Sequence, residues 1–154
     1  MTENRKPRLV GINHVALEVG DIDEALSFYG RLFEFELRGE TRDDDGTRSM
    51  AFIDMGDQFL ALSRGREGGP DAHRHFGLVV DDRSQIEKLA RAAGADMVEG
   101  PFLDIRDPWG NRIEIVEYRD LQFLKSDAVL EYLGVSPEKS DQAKTDLSEK
   151  GIAV

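Results

Sequence analysis

The stretch that decides the fold is written twice, as His14-Val-Ala-Leu-Glu-Val19 and again as His75-Phe-Gly-Leu-Val-Val80. Each copy is an apolar strand that begins with a histidine and runs into an acidic turn. A third segment, Asn111-Arg-Ile-Glu114-Ile-Val-Glu117, alternates polar and apolar residues around a carboxylate. Two imidazoles and one carboxylate on repeated strands suggest a divalent metal held between two halves of the chain.

The segments after each histidine strand repeat the same order of elements. Apolar residues recur at spacings of three and four after the first strand, which predicts an amphipathic helix with Asp21 as its N-cap. The same spacing follows the second strand, and Gly94 stands where a left-handed C-terminal cap belongs. Three strand-like segments follow each helix. They are residues 33–38, 49–55 and 58–63 in the first half, and residues 96–99, 102–106 and 112–118 in the second.

This order predicts an α+β fold of two βαβββ modules whose curved mixed sheets surround a central cavity, because short turns join antiparallel strands and the helix is the crossover. A helical tail follows the second module. The predicted boundaries are a flexible N-terminus at 1–8, a first module at 9–64, a linker at 65–73, a second module at 74–118 and a C-terminal helical extension at 119–154.

The tail carries two helix signals. Ser126 is placed to cap a short helix that ends at Gly134, and Ser136-Pro137-Glu138 predicts the start of a second helix with proline at its first position. That second helix is mostly charged, with Ala143 and Leu147 as its apolar pair. The tail could cover the outer face of the protein, reach a second subunit or fray.

Composition limits the classes of function. The chain has 154 residues, no cysteine and a net charge of −11. The missing cysteines exclude disulfides and thiolate chemistry, and the acidity argues against nucleic acid, which needs a basic surface. No segment approaches the roughly 20 apolar residues of a membrane span. The N-terminal residues lack the apolar core of a signal peptide, so we expect a cytoplasmic protein.

Strand alternation predicts which side chains face the cavity. Side chains on a strand point alternately to opposite faces, and the aliphatic set of each histidine strand should pack under the helices. That leaves His14, His75 and Glu114 facing inward, together with Glu18 and Arg112. A carboxylate inside a cavity is costly unless it is paired or bound to a metal, so the three groups are predicted metal ligands. The alternative is two histidines hydrogen-bonded at strand ends and a half-exposed glutamate.

The combined pattern resembles the vicinal oxygen chelate superfamily, which includes glyoxalase I, methylmalonyl-CoA epimerase, fosfomycin-resistance enzymes, extradiol ring-cleaving dioxygenases and bleomycin-resistance proteins. The resemblance is carried by His14 and Asp21, by Phe28-Tyr29 at the helix end, by His75 and by Asp107-Pro108-Trp109-Gly110-Asn111 before Glu114. It covers about residues 9–118. It implies a metal that chelates two adjacent oxygens of a small-molecule substrate, and it implies a homodimer.

Departures from the family patterns narrow the reaction. Ala61 stands where glyoxalases and epimerases place a fourth ligand, and Glu18 stands where glyoxalase I has an arginine for glutathione. The remaining His-His-Glu set resembles that of ring-cleaving dioxygenases, and it favours Fe(II), with Mn, Zn or Ni also compatible. Those dioxygenases also carry a histidine and a tyrosine that lie outside the ligand set and ahead of the glutamate, and these two residues have no obvious counterparts here, where Asp104, Ile105 and Arg106 occupy that stretch. The alternatives are a metal-dependent lyase or isomerase and a non-catalytic drug-binding protein.

Three further residues are candidates for catalysis under this resemblance. His73 lies two residues before His75 and could act as a base or replace a ligand, and Glu18 is a second candidate base. Arg112 could pair with a substrate carboxylate, the alternative being a solvated arginine near a turn. Whether the two modules pair within one chain or between two chains stays open at this point.

Overall fold

The predicted order of elements is present twice in the computed structural model, which describes residues 6–8 and 10–154. The predicted flexible N-terminus, 1–8, lies mostly outside the described residues. The first module contains β1 (His14–Val19), α1 (Ile22–Leu32), β2 (Leu37–Arg42), β3 (Arg48–Asp54) and β4 (Phe59–Arg64). The second contains β5 (His75–Val80), α2 (Arg83–Ala92), β6 (Asp96–Val98), β7 (Asp104–Arg106) and β8 (Arg112–Glu117). A 3-10 turn (Tyr118–Asp120), α3 (Asp127–Leu133) and α4 (Asp141–Glu149) follow.

The two sheets have the same topology. Their strand orders are β1-β4-β3-β2 and β5-β8-β7-β6, and in each the first strand runs parallel to the last while the other pairs are antiparallel. The predicted α+β fold of two βαβββ modules with a helical tail is therefore confirmed. The two sheets remain separate in one chain and are not joined into a closed barrel.

The strand registers confirm the predicted equivalence of the two halves. His14 lies opposite Phe59 on β4, and His75 lies opposite Arg112 on β8. Two residues further along, Ala61 occupies on β4 the position that Glu114 occupies on β8. The first module therefore carries alanine where the second carries a carboxylate.

One hydrophobic core joins the modules beneath the two sheets. α1 starts at the predicted N-cap, because the side chain of Asp21 accepts a hydrogen bond from the Glu24 amide at 2.8 Å. Asp82 caps α2 in the same way and accepts a hydrogen bond from the Gln85 amide at 2.9 Å. Each helix buries one apolar face against its sheet. The core takes residues from both modules, among them Leu17, Val19, Tyr29, Leu62, Ile105 and Ile113.

Some predicted boundaries are wrong for identifiable reasons. β2 begins at Leu37 and not at residue 33, because the amide of Phe33 still bonds to the last turn of α1 and Phe35 packs on the core outside the ladder. The second tail helix does not begin at Ser136. It begins at Asp141, where Ser140 is the N-cap, because Lys139 is drawn inward to the carbonyls of Tyr118 and Phe123.

The turn at residues 107–111 fastens the second module to the first. Asp107 is 3 % exposed and accepts hydrogen bonds from the amides of Trp109 and Asn111, from the Asn111 side chain and from the Tyr29 hydroxyl of α1 at 2.8 Å. The Asn111 amide also donates to the carbonyl of Glu18 on β1 at 2.9 Å. Trp109 packs against the backbone of Gly20, where a Cβ would collide with the indole ring. The turn at residues 107–111, which carries part of the family resemblance, therefore contacts both modules.

The buried Tyr29 phenol should make the free energy of unfolding decrease with rising pH in the alkaline range. Burial, followed by the nearby charge of Asp107, raises the pKa of Tyr29 well above its ordinary value of 10.0. Above about pH 10 the unfolded phenol loses its proton while the folded one keeps it, so the free energy of unfolding should fall by up to about 1.4 kcal/mol per pH unit. Urea unfolding between pH 9 and 11 measures this slope. The slope should be shallower in Tyr29→Phe, and equal slopes would contradict the assignment.

None of the helices in the described part of the chain is long and apolar enough to cross a membrane.

Candidate metal centre

The predicted ligands lie on the sheet faces that point away from the helices, which we call the open faces. On β1, His14 and Glu18 are exposed while Leu17 and Val19 between and beyond them are buried, as strand alternation predicts. On the second sheet the side chain of His75 is partly exposed and that of Glu114 is 24 % exposed. Each sheet therefore presents its ligand candidates toward solvent in one chain.

His75 and Glu114 form a pair whose geometry suits a cation. The Nδ1 atom of His75 lies 2.7 Å from the carbonyl oxygen of His73, which can only accept, so Nδ1 carries the proton. In the neutral ring the Nε2 lone pair then lies 3.4 Å from Oε2 of Glu114. Two acceptors at this distance repel unless a proton or a metal ion lies between them. Two ligands that each bind a metal at about 2.1 Å can span this separation.

His14 is oriented in a similar way on the first sheet. Its Nδ1 atom lies 2.9 Å from Oδ1 of Asn13, so the Nε2 atom is again the one available to a metal. The ring stacks on Phe59 with centroids 4.6 Å apart and planes 11° from parallel. A hydrogen bond and an aromatic stack therefore fix the ring of His14 from two sides.

One chain brings together two of the three predicted ligands. His75 and Glu114 are adjacent, whereas His14 belongs to the other sheet, with which β5 and β8 share no ladder. Within residues 6–8 and 10–154, no three His, Asp or Glu side chains are grouped closely enough to hold a metal. Two imidazoles and a carboxylate would suit a divalent ion in their chemistry, but the described part of one chain does not bring all three together.

The three predicted catalytic residues have different surroundings. His73 is exposed in the bend before β5, and its carbonyl holds the ring of His75. Glu18 is exposed on β1. Arg112 is already engaged, because its Nε donates to Oδ2 of Asp104 at 2.6 Å and its Nη1 donates to the carbonyl of Ala72. Arg112 therefore links the segment that precedes His75, through Ala72, to Asp104 on β7.

The linker before His75 is held by charges that the sequence reading did not single out. Asp71 accepts hydrogen bonds from Arg74 at 2.8 Å and from Arg66 at 3.3 Å, and its carbonyl accepts one from Arg106 at 2.9 Å. Burial tends to raise the pKa of Asp71, but the hydrogen bonds and charges of Arg74 and Arg66 outweigh it and leave the pKa below its usual value. The side chain is thus held as an anion, and it fixes the backbone that leads to His75.

The open faces beside the ligands combine aromatic rings with paired charges. Phe52 packs edge-on against Phe59 at 5.8 Å, next to His14. The neighbouring arginines each bind a carboxylate. The pairs are Arg38 with Asp54, Arg106 with Asp96 and Arg112 with Asp104. The surface beside the predicted ligands therefore combines aromatic rings with guanidinium groups that are each paired with a carboxylate.

Comparisons with known proteins agree with this architecture. The sequence profile of the glyoxalase/bleomycin resistance protein/dioxygenase superfamily matches residues 11–115. The chain is 25% identical over 124 residues to a lactoylglutathione lyase of Salmonella typhimurium, covering 70% of this chain and 92% of that protein. It is 26% identical over 132 residues to a probable chloroplastic lactoylglutathione lyase of Arabidopsis thaliana, covering 75% of this chain but only 37% of that protein.

Solved structures share the fold at low sequence identity. The fosfomycin resistance protein FosX of Mesorhizobium loti superimposes with a TM-score of 0.60 and 16% identity, over 71% of this chain and 92% of FosX. A single-residue mutant of FosX from Listeria monocytogenes, in a complex with Mn(II) and 1S,2S-dihydroxypropylphosphonic acid, superimposes with a TM-score of 0.60 and 17% identity, over 70% of this chain and 92% of that protein. TioX of Micromonospora superimposes with a TM-score of 0.53 and 24% identity, over 69% of this chain and 97% of TioX.

Proposed function

Because the chain belongs to the glyoxalase/bleomycin resistance protein/dioxygenase superfamily, we propose that it is a metal-dependent enzyme whose divalent ion is held by His14, His75 and Glu114. His75 and Glu114 come from one chain and His14 from the first module of a second chain. The observation that carries the proposal is the Nε2 atom of His75 at 3.4 Å from Oε2 of Glu114, with the ring's other nitrogen already bonded.

A homodimer accounts for the position of His14. Its ring has Nε2 available on an open face, but within the described residues His14 belongs to no group of three His, Asp or Glu side chains that could hold a metal. A two-fold dimer would bring the open face of one first module over the open face of the partner's second module, and would do so twice. Such an arrangement makes two equivalent sites, each enclosed by both chains, and it buries the aromatic rings beside His14.

When bound, the ion supplies Lewis-acid polarisation of two adjacent substrate oxygens. The chain supplies the surroundings. His73 is the base candidate nearest to His75 in sequence, while Glu18 lies four residues beyond His14, about 13 Å along the strand, and would contact the remote part of the substrate. Arg112 acts as a positioning residue, because its guanidinium already binds the carboxylate of Asp104 and the carbonyl of Ala72.

Among the reactions of the superfamily, we favour ring cleavage of an aromatic diol by dioxygen, with Fe(II) as the ion. Ala61 at the position equivalent to Glu114 leaves three protein ligands and more open positions on the metal. The aromatic rings beside His14 suit a flat apolar substrate. The paired arginines offer little to a phosphonate or a glutathione carboxylate.

A lyase or isomerase that converts a hemithioacetal into an α-hydroxy thioester is the second candidate. The observation in its favour is the 25% identity to a lactoylglutathione lyase, in an alignment that covers 92% of the length of that lyase. Against it stand Glu18, which carries the wrong charge for glutathione, and Ala61, which cannot move a proton. A binding protein without turnover is a third candidate, and its hallmark would be drug binding without metal.

Oxygen uptake on a catechol panel tests the reaction. Protein purified anaerobically and loaded with Fe(II) should consume dioxygen in proportion to the diol, and a yellow ring-opened product should form. Glu114→Gln should reduce the rate by at least about 100-fold, because a lost ligand weakens the site more than a lost outer partner does. Conversion of the glutathione hemithioacetal of methylglyoxal without oxygen uptake would favour the lyase. Tight drug binding by metal-free protein would favour the binding protein.

A further inference from the structure

The C-terminal extension reaches the part of the first module that holds His14. It begins after β8 in the second module, beyond residue 115 where the superfamily profile ends, and it crosses to the turn between β3 and β4 at residues 55–58. Two of its side chains, Lys125 and Tyr132, bond to this turn or to the strand end beside it. This contact is a property of the present chain that lies outside the family resemblance.

Lys125 is the stronger of the two anchors. Only 9 % of its side chain is exposed, and its Nζ atom donates to the carbonyl of Met55 at 3.1 Å and to Oε1 of Gln58 at 3.4 Å. It also forms an ion pair with Asp57. One ammonium group therefore satisfies acceptors from three of the four turn residues, which restricts the turn more than a single hydrogen bond would.

Tyr132 and Val129 of α3 contact the end of β3 and the same turn. The Tyr132 hydroxyl donates to Oδ2 of Asp54 at 3.1 Å, and Arg38 binds the other oxygen of Asp54 at 3.1 Å. Arg38 also donates to the carbonyl of Gly56 at 2.7 Å. Val129 of α3 approaches Gly56 so closely that a Cβ there would lie 2.7 Å from its methyl group.

Two contacts lead from the turn to His14. The side-chain amide of Gln58 donates to the carbonyl of Ile12 at 2.5 Å, and so fixes the backbone two residues before the histidine. The ring of Phe59, the next residue, stacks on the imidazole with centroids 4.6 Å apart. The guanidinium of Arg38 lies 4.8 Å from the centroid of the same Phe59 ring. Any displacement of the turn therefore changes the support of His14.

We propose that the C-terminal extension positions His14 for metal binding, acting through Lys125 and Tyr132 on the turn at residues 55–58. The proposal rests on the proposed function, since it requires His14 to be a ligand. The extension is then part of the metal site's supporting structure. Lys125 and Tyr132 are positioning residues, and they need not touch substrate.

Mn(II) affinity, measured by titration calorimetry on the full-length chain, tests the proposal without catalysis. Lys125→Met keeps most of the aliphatic stem and removes the charge, and it should weaken Mn(II) binding by about 10-fold, the lower end of what outer partners of metal ligands contribute. Lys125→Arg should recover part of this loss. Tyr132→Phe removes one oxygen and should weaken binding by about 3-fold, since it breaks a single hydrogen bond. Glu131→Gln, an exposed neighbour on α3, is the matched control and should leave the affinity unchanged.

A variant series with His14→Ala separates the possible failures. If Lys125 acts through His14, then adding Lys125→Met to His14→Ala should weaken Mn(II) binding no further. Unchanged affinity in both Lys125→Met and Tyr132→Phe, with His14→Ala strongly impaired, would overturn the positioning role and leave the proposed function intact. Full affinity in His14→Ala would instead overturn the proposed function. If Lys125→Met fails to fold, Tyr132→Phe decides alone, because its hydroxyl lies at an exposed position.

Discussion

His14→Ala and His75→Ala chains, each unable to hold metal alone, should regain about half of the wild-type metal content when they form a heterodimer. In a two-fold dimer with shared sites, the His14→Ala chain supplies an intact His75 and Glu114, and its partner supplies an intact His14. One site of the pair is then complete, and the other has lost both histidines. Each homodimeric variant should bind metal at least about 100-fold more weakly than wild type.

Co-expression with two different affinity tags isolates the heterodimer for elemental analysis. A matched control combines His75→Ala with Glu114→Gln, since both changes damage the second module and neither site of that heterodimer can be complete. If the first heterodimer folds and assembles normally but regains no metal, the proposal of a site shared between two chains is wrong. Recovery in the control as well would show that the ligand set is different.

The fold and the equivalence of the two halves could be predicted from the sequence because both rest on local patterns. Alternation in the histidine strands places Leu17 and Val19 in the core and His14 on the open face, and the caps at Asp21 and Gly94 mark helix ends. The equivalence of Ala61 and Glu114 also followed from aligning the two repeats. Such patterns involve neighbours on one element, and distant partners do not alter them.

The arrangement of the modules could not be predicted in the same way. Strand alternation assigns a face to His14 but carries no information about which sheet lies opposite that face. The structure brings His75 and Glu114 together because their strands are adjacent in one sheet. His14 belongs to the other sheet, and its relation to them depends on how whole modules pack.

The hydrogen-bond partners of long charged side chains could not be predicted from the sequence either. Arg112 was assigned to the correct face, but nothing in the sequence pairs it with Asp104 or with the carbonyl of Ala72. Lys139 looked like a residue of a charged helix, yet it is 6 % exposed and bonds to two carbonyls. Each of these contacts depends on a loop path that no short-range periodicity encodes, and the contacts of Lys139 precede the start of the tail helix at Asp141.

Asp107→Ala should destabilise the protein by about 3–5 kcal/mol, more than any other single change in the turn at residues 107–111. The carboxylate is buried and accepts four hydrogen bonds, including those from the Tyr29 hydroxyl and the Asn111 side chain. Alanine leaves these donors in a space from which water is excluded, and a buried unsatisfied donor costs about 1–3 kcal/mol. The total is less than the sum because the neighbours can partly rearrange.

Urea unfolding at pH 7 measures this loss, and a double-mutant cycle with Tyr29→Phe assigns its inter-module part. Asp81→Ala is the matched control, because it removes an aspartate side chain that is exposed to solvent in the turn after β5. It should change the free energy of unfolding by less than about 0.5 kcal/mol. Since folded domains have about 5–15 kcal/mol in total, Asp107→Ala should bring the chain close to unfolding. A loss below about 1 kcal/mol would mean that the modules are held together by the shared core alone. Coupling of about 1 kcal/mol or more between Tyr29 and Asp107 would instead identify this turn as the fastening between the modules.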